Sequence, residues 1–167
     1  GKINSDDFNG TYTGAFSDKN VGTGKTVTIT PSYTGADVSN YSITNHSTVT
    51  ADVAVKALTA TASTANKTYD GTTTATTTLT FTGLVGSETL GQTVGSTFNN
   101  KNVGTGKTVT INTITLADGS NGGLASNYTI SSGQTTTADI TAKALTVSGI
   151  TASDKIYDAT TAATLGT

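Results

Sequence analysis

The residues most suggestive of chemistry are Gly22-Thr23-Gly24-Lys25-Thr26, repeated as Gly104-Thr105-Gly106-Lys107-Thr108. A glycine followed by lysine and a hydroxyl is how a phosphate-cradling loop ends. Such a loop also needs a glycine five positions before its last one, and then a helix whose N-terminus faces the phosphate. Lys19 and Lys101 stand at that earlier position, and alternating Thr and Val follow. The pattern is therefore read as a turn between strands. Hard oxygen donors for calcium occur at Asp6, Asp7 and in the Asp118-Gly119-Ser120-Asn121 run, but their spacing matches no calcium loop. These three aspartates are weak calcium candidates. No other metal and no cofactor is expected. His46, the single histidine, has no acidic residue within five positions, which leaves a zinc site or a catalytic triad without partners. Cysteine is absent, so thiolate nucleophiles, disulfides and Cys-based zinc sites are excluded. With no nucleophile beside a base, the sequence reads as non-enzymatic.

Recurrence marks a second group of residues. Tyr69 returns as Tyr157, and Tyr41 as Tyr128. Aromatics can stack on sugars, but a thin β core also needs large amphipathic residues whose hydroxyl finds a polar partner, and that is the reading preferred here. Asp70 and Asp158, beside two of these tyrosines, are expected to accept backbone N–H bonds in Asx-type turns.

The elements that must position these residues are strands. Of 167 residues 41 are Thr, a β-branched residue suited to the solvent face of a pleated sheet. Leu, Ile, Val and Phe total 32, which predicts a thin core. They alternate instead of scattering, and the net charge is only -2, so disorder is not expected. Nine Lys and no Arg leave no basic footprint for nucleic acid. No apolar run approaches the roughly 18 residues of a membrane span, and no charged-then-apolar segment opens the chain. Membrane insertion is not expected, and any export signal is expected outside these residues.

The chain repeats itself. Lys19-Asn20-Val21-Gly22-Thr23-Gly24-Lys25-Thr26-Val27-Thr28-Ile29 recurs without change 82 positions later, from Lys101 to Ile111. Asn40-Tyr41 returns as Asn127-Tyr128, and Lys56-Ala57-Leu58-Thr59 as Lys143-Ala144-Leu145-Thr146, both at an offset of 87; an insertion around Asp118 to Gly123 accounts for the change. Lys67-Thr68-Tyr69-Asp70-Gly71-Thr72-Thr73 matches Lys155-Ile156-Tyr157-Asp158-Ala159-Thr160-Thr161 at 88. These motifs divide the chain into part of a first β repeat at 1–56, a complete repeat at 57–143 and the start of the next at 144–167. Repeat arrays are quasi-one-dimensional, each unit touching only its neighbours, so copies add reach.

The succession K-x-Y-D-G-T-T, K-N-V-G, N-Y-x-I and A-D-I-x-x-K-A-L resembles the YDG/MBG tandem repeats of large bacterial surface adhesins, found in filamentous-haemagglutinin-like exported proteins. It covers essentially the whole chain. The resemblance implies an extracellular, non-enzymatic stalk that projects a distal binding domain from the cell surface, with neighbouring repeats of the same chain as partners. Two alternatives are a self-assembling filament or biofilm-matrix subunit pairing through strand edges, and a glycan-binding module. Ala159 departs from the motif, which suggests that a positive-φ turn there is dispensable or relaxed.

The expected architecture is all-β: small antiparallel domains arranged end to end, sandwich-like or alternatively β-grasp-like. Strands are predicted at Thr76 to Thr82, Gln92 to Phe98, Lys107 to Leu116, Asn127 to Ile140 with a break near Gly133, and Ala144 to Ala152. Val109 and Ile111 share a face, whereas Ile114 and Leu116 have the opposite parity, so a bulge is predicted near Asn112. Val53 and Leu58, like Ile140 and Leu145, are five apart and would face opposite ways in a continuous strand. Lys56 and Lys143 are accordingly predicted to mark short, stiff crossings between units.

Overall fold

The structure, a computed structural model, describes residues 1–166. It is nearly all β, built from several small sheets with no closed barrel. The strands are β1 (Asn9–Phe16), β2 (Gly22–Thr34), β3 (Thr48–Val53), β4 (Lys56–Ala57), β5 (Thr59–Thr64), β6 (Lys67–Thr68), β7 (Thr74–Ala75), β8 (Thr77–Thr82), β9 (Leu90–Phe98), β10 (Gly104–Asp118), β11 (Tyr128–Thr129), β12 (Thr135–Thr141), β13 (Thr151–Ala152) and β14 (Leu165–Gly166). Two 3-10 turns, Val38–Asn40 and Ala125–Asn127, precede the Asn-Tyr motifs' tyrosines.

The complete repeat holds a five-stranded sheet in the order β6-β12-β10-β9-β7 and a smaller antiparallel pair, β5-β8. β5 lies beside β12 and β8 beside β9. Pleating sends Val109 and Ile111 of β10 to the face that also carries Phe98. Both are fully buried, and Ala75, Phe98, Val109, Ala138 and Ile140 form the core cluster with Tyr69 packed against it. The intervening threonines face outward, so the alternation in sequence becomes the inside-outside division of the sheet. The β10 register slips between Ile111 and Thr113, which places the bulge at Asn112 and brings Ile114 and Leu116 to half-buried positions. A second irregularity falls between Gly104 and Lys107, and its counterpart between Gly22 and Lys25.

The sheet of the first repeat is β1-β2-β3, and the repeat's last residue, Lys56, begins β4. This sheet pairs as β9-β10-β12 does, with the Thr residues of β2 outside and Val27, Ile29, Pro31 and Tyr33 half-buried on the other face.

Several details depart from the sequence reading. Within the expected strand Ala144 to Ala152, only Thr151–Ala152 is a strand, because among the described residues no partner strand lies beside the rest of it. Lys56 is not a bare crossing. It pairs in parallel with Tyr128 in a two-residue ladder, and Leu58 N–H then donates to Thr129 O at 2.8 Å as the Leu58 side chain becomes buried. β6 also pairs in parallel, with β12. Lys143, lacking such a partner strand, is exposed and unpaired in the ladder. Ala159 keeps the left-handed turn at φ 57, beside φ 81 at Gly71. The strain of a left-handed Ala, roughly 1–2 kcal/mol, is offset by the side-chain clamp described below.

Candidate functional site

The Lys-x-Tyr-Asp-Gly motif is a crossover that closes one end of the five-stranded sheet. β6 and β7 lie on opposite edges of that sheet, and residues 69–73 connect them. Tyr69 N–H donates to Thr141 O (2.8 Å) on one side, and Phe98 N–H to Thr73 O (2.7 Å) on the other. Asp70 Oδ1 accepts from Thr72 N–H and Thr72 Oγ1, both at 2.9 Å, forming the Asx turn. Lys67 Nζ reaches back to Asp70 Oδ1 at 2.8 Å and donates to the carbonyls of Thr72 (3.1 Å) and Thr74 (3.0 Å), with its ammonium 5.8 Å from the Phe98 ring centroid. Lys67 and the Thr72 donors hold the Asp70 carboxyl at about 2, far below the usual range. In the second copy Lys155 makes the same contacts to Asp158 (2.8 Å) and Thr160 O (2.8 Å), and Asp158 lies below its ordinary value for the same reason. Tyr157 there is 90% exposed. The clamp therefore forms from neighbours in sequence, without a core behind it.

The Lys-Asn-Val-Gly and Asn-Tyr motifs meet across the boundary between units. Lys19 Nζ of the first unit donates to Glu88 Oε1 of the second at 2.7 Å. Val21 N–H donates to Asn127 Oδ1 (2.9 Å), and Asn127 Nδ2 donates to Asn20 Oδ1 (3.1 Å). Within the second unit, Tyr128 OH donates to Glu88 Oε2 (2.6 Å) and accepts from Val85 N–H (3.1 Å). Lys19, then Tyr128, hold Glu88 below its ordinary value, while Glu88 raises both Lys19 and Tyr128. A cleft of about 230 Å³ lies between the units, lined in part by Val21, Val53, Lys56 and Val85.

The first unit carries a matching acceptor set. Tyr41 OH donates to Asp6 Oδ2 (2.6 Å) and accepts from Ile3 N–H (2.9 Å), the counterparts of Glu88 and Val85. Asn40, exposed beside it, is the counterpart of Asn127. Tyr41 is raised by the Asp6 carboxylate.

The calcium candidates serve other purposes. Asp6 buttresses Tyr41, Asp7 accepts Ala36 N–H at 3.1 Å, and Asp118 accepts Ala125 N–H at 2.7 Å in a different unit. Among the described residues, no group of three His, Cys, Asp or Glu side chains is arranged to hold a metal ion. In the Gly-Thr-Gly-Lys-Thr segments, Gly24 and Gly106 N–H donate to Asp52 and Asp139 at 2.7 Å, so the backbone donors that would cradle a phosphate are taken. Lys25 is ion-paired with Asp18, and Lys107 donates to Asn100 Oδ1 (2.6 Å).

Sequence reasoning singled out Asn127 and Tyr128 and used Lys19, Asn20 and Val21 only as markers of the repeat; it assigned them no partner and passed over Glu88. A signal existed: a hairpin turn requires its glycines, whereas nothing in turn geometry requires Lys-Asn-Val to be reproduced 82 residues on.

A family model described as YDG domain matches residues 1–51 and 54–138. No curated protein and no solved structure matches the chain.

Proposed function

The chain belongs to the YDG domain family, and from that premise we propose that its units are spacers in the stalk of an extracellular bacterial adhesin, projecting a distal binding domain from the cell surface. The observation that carries this reading is the junction. A spacer differs from a string of loose beads only in what happens between units, and here the Lys-Asn-Val segment of one unit meets Glu88 and Asn127 of the next in an ion pair, a backbone-to-side-chain hydrogen bond and a side-chain hydrogen bond. Lys19, Asn20 and Val21 recur as Lys101, Asn102 and Val103 and Asn127 corresponds to Asn40, with Asp6 standing where Glu88 does, so each added unit brings a donor set and an acidic acceptor set. The threonine-rich outer faces suit a surface that stays hydrated and adheres to nothing along its length. Catalysis has no part in this reading, because the ionised groups of the motifs are occupied with one another and with the backbone.

Small-angle scattering on this chain and on covalent arrays of four or more repeats tests it. A maximum dimension that grows linearly with repeat number supports the stalk. Dimensions that grow as those of a flexible chain, with widely varying inter-unit angles, refute it.

A further inference from the structure

The loop inserted into the complete repeat, 118–123, contains Asn121-Gly122, one of two Asn-Gly pairs in the chain; the other is Asn9-Gly10. In such a pair the asparagine amide carbon is open to attack by the next backbone nitrogen, because glycine puts no side chain in the way and leaves the backbone free to rotate. The two pairs sit in different surroundings. Asn9 and Gly10 open β1, opposite Thr34 and Tyr33, and the Tyr33 ring stands over Gly10, 3.2 Å from where a Cβ would be. Asn121 lies in an exposed loop at φ 57, a left-handed conformation that Asn tolerates, followed by Gly122 at φ 83. Among the described residues Gly122 N–H has no hydrogen-bond acceptor, so its nitrogen is not held in any ladder or turn bond.

The same loop is part of the junction between units. Asn121 Nδ2 donates to Ser87 O (2.9 Å), Ser120 N–H donates to Thr89 Oγ1 (2.8 Å), and Thr89 N–H donates to Ser120 O (3.2 Å). The loop thus clasps residues 87 and 89, and Glu88, which accepts the cross-unit ion pair from Lys19, lies between them. A Cβ on Gly122 would stand 3.2 Å from Lys19 Nζ and 4.0 Å from Glu88 Oε1, so the loop lies against the ion pair itself.

We propose that Asn121 is a self-modifying site whose deamidation slackens this junction. Gly122 N attacks Asn121 Cγ, the bond from Cγ to Nδ2 breaks, and Nδ2 leaves as ammonia with the proton of the Gly122 amide. Water then opens the five-membered imide at one of its two carbonyls, its hydroxyl going to the carbon and its proton to the nitrogen, to give aspartate or its β-linked isomer. Water is the one co-reactant. Either product puts an acceptor-only carboxylate where the amide donor stood, so the bond to Ser87 O is lost. The β-linked product also lengthens the loop backbone by a methylene. A second carboxylate then competes with Glu88 for Lys19, and the clasp that positions Glu88 opens. The junction is tight in a new chain and loosens as the chain ages.

The inference rests on the junction that the stalk reading also uses, and the two fail separately, since deamidation is read by mass at one residue whatever the stiffness of an array. The test is peptide mapping by mass spectrometry of the whole chain held in warm, mildly alkaline buffer, folded and in urea. The gain of about one dalton that marks an amide turned into an acid should appear at Asn121 and Asn9 alike in urea. In the folded chain it should appear at Asn121 at least roughly tenfold sooner than at Asn9, which the β1 ladder protects. Scattering should show a broader distribution of inter-unit angles for the aged chain, and for Asn121→Asp from the outset, than for the fresh chain, with the melting temperature of each unit nearly unchanged. Asn121→Gly keeps the left-handed backbone and has no side chain to react, so its scattering should not change with time. Equal rates at the two sites in the folded chain, no gain at Asn121 in the time that the urea sample converts, or a converted chain that scatters as the fresh one does would each overturn the proposal.

Discussion

Asp70 and Asp158 show how much a few neighbouring residues accomplish alone. Both carboxylates accept the N–H two residues on and both are paired with the lysine three residues before, although one turn packs on a core and the other stands in solvent. The Asp70 carboxyl is depressed in the folded chain, so its contribution is complete above the ordinary aspartate value of 3.8 and is lost as pH falls through about 2. Thermal unfolding of the native chain and of Asp70→Asn over this range checks the sign: the native chain is the more stable near neutrality, and the difference closes as pH approaches 2. Gly71 holds a positive φ of 81°. That Ala159 also holds a positive φ could not be read from residue type, because the clamp that sustains it depends on where Lys155 and Thr160 point.

β2 and β10 isolate what context does to a strand. They share the segment Lys-Asn-Val-Gly-Thr-Gly-Lys-Thr-Val-Thr-Ile, with the same alternation and an irregularity at the same two glycine-bounded positions. Ile111 is nevertheless fully buried and Ile29 only half-buried, because β5-β8 accompanies one sheet, whereas among the described residues no strand pair lies over the other. Ile111→Ala is expected to cost about 2–5 kcal/mol, the range for emptying a packed core position, and Ile29→Ala roughly 1 kcal/mol in the monomer. Denaturant titrations at low protein concentration measure both, and equal losses would contradict this account of the two sheets. The bulge at Asn112 was legible because Ile111 and Ile114 have opposite parity. β6 and β7 were not, since two-residue edge strands have no periodicity to detect. The inserted loop at 118–123 belongs to the same class. Gly119 and Gly123 press against Thr89, where a Cβ would come within 2.1 and 2.0 Å of its carbonyl oxygen, a contact between loops that no local pattern announces.

For the whole molecule, the decisive question is how firmly one unit is held to the next. Glu88 is depressed by Lys19 and Tyr128, so the junction is fully formed above the ordinary glutamate value of 4.5 and loosens as pH falls below it. Lys19→Met removes the cross-unit ion pair while leaving the Tyr128–Glu88 bond inside its own unit. Scattering at neutral pH should show a broader distribution of inter-unit angles for this variant, with each unit's melting temperature nearly unchanged. Acidification should broaden the native distribution toward the variant's, and high salt should act in the same direction, since Lys19 is largely exposed and its pairing is screened.

Thr-rich alternation, the glycine-bounded turns and the recurring Lys-Asp clamps were determined by the sequence alone, because each depends on residues close enough along the chain to meet whatever else the molecule does. The tertiary structure decided which copy of a shared strand becomes core, which tyrosine is covered, and that Lys19 and Asn20 face Glu88 and Asn127 across a boundary. Those outcomes depend on groups up to 107 residues apart. A contact at that separation exists only after both units have folded, when the sheets have already settled which side chains remain at the surface to make it.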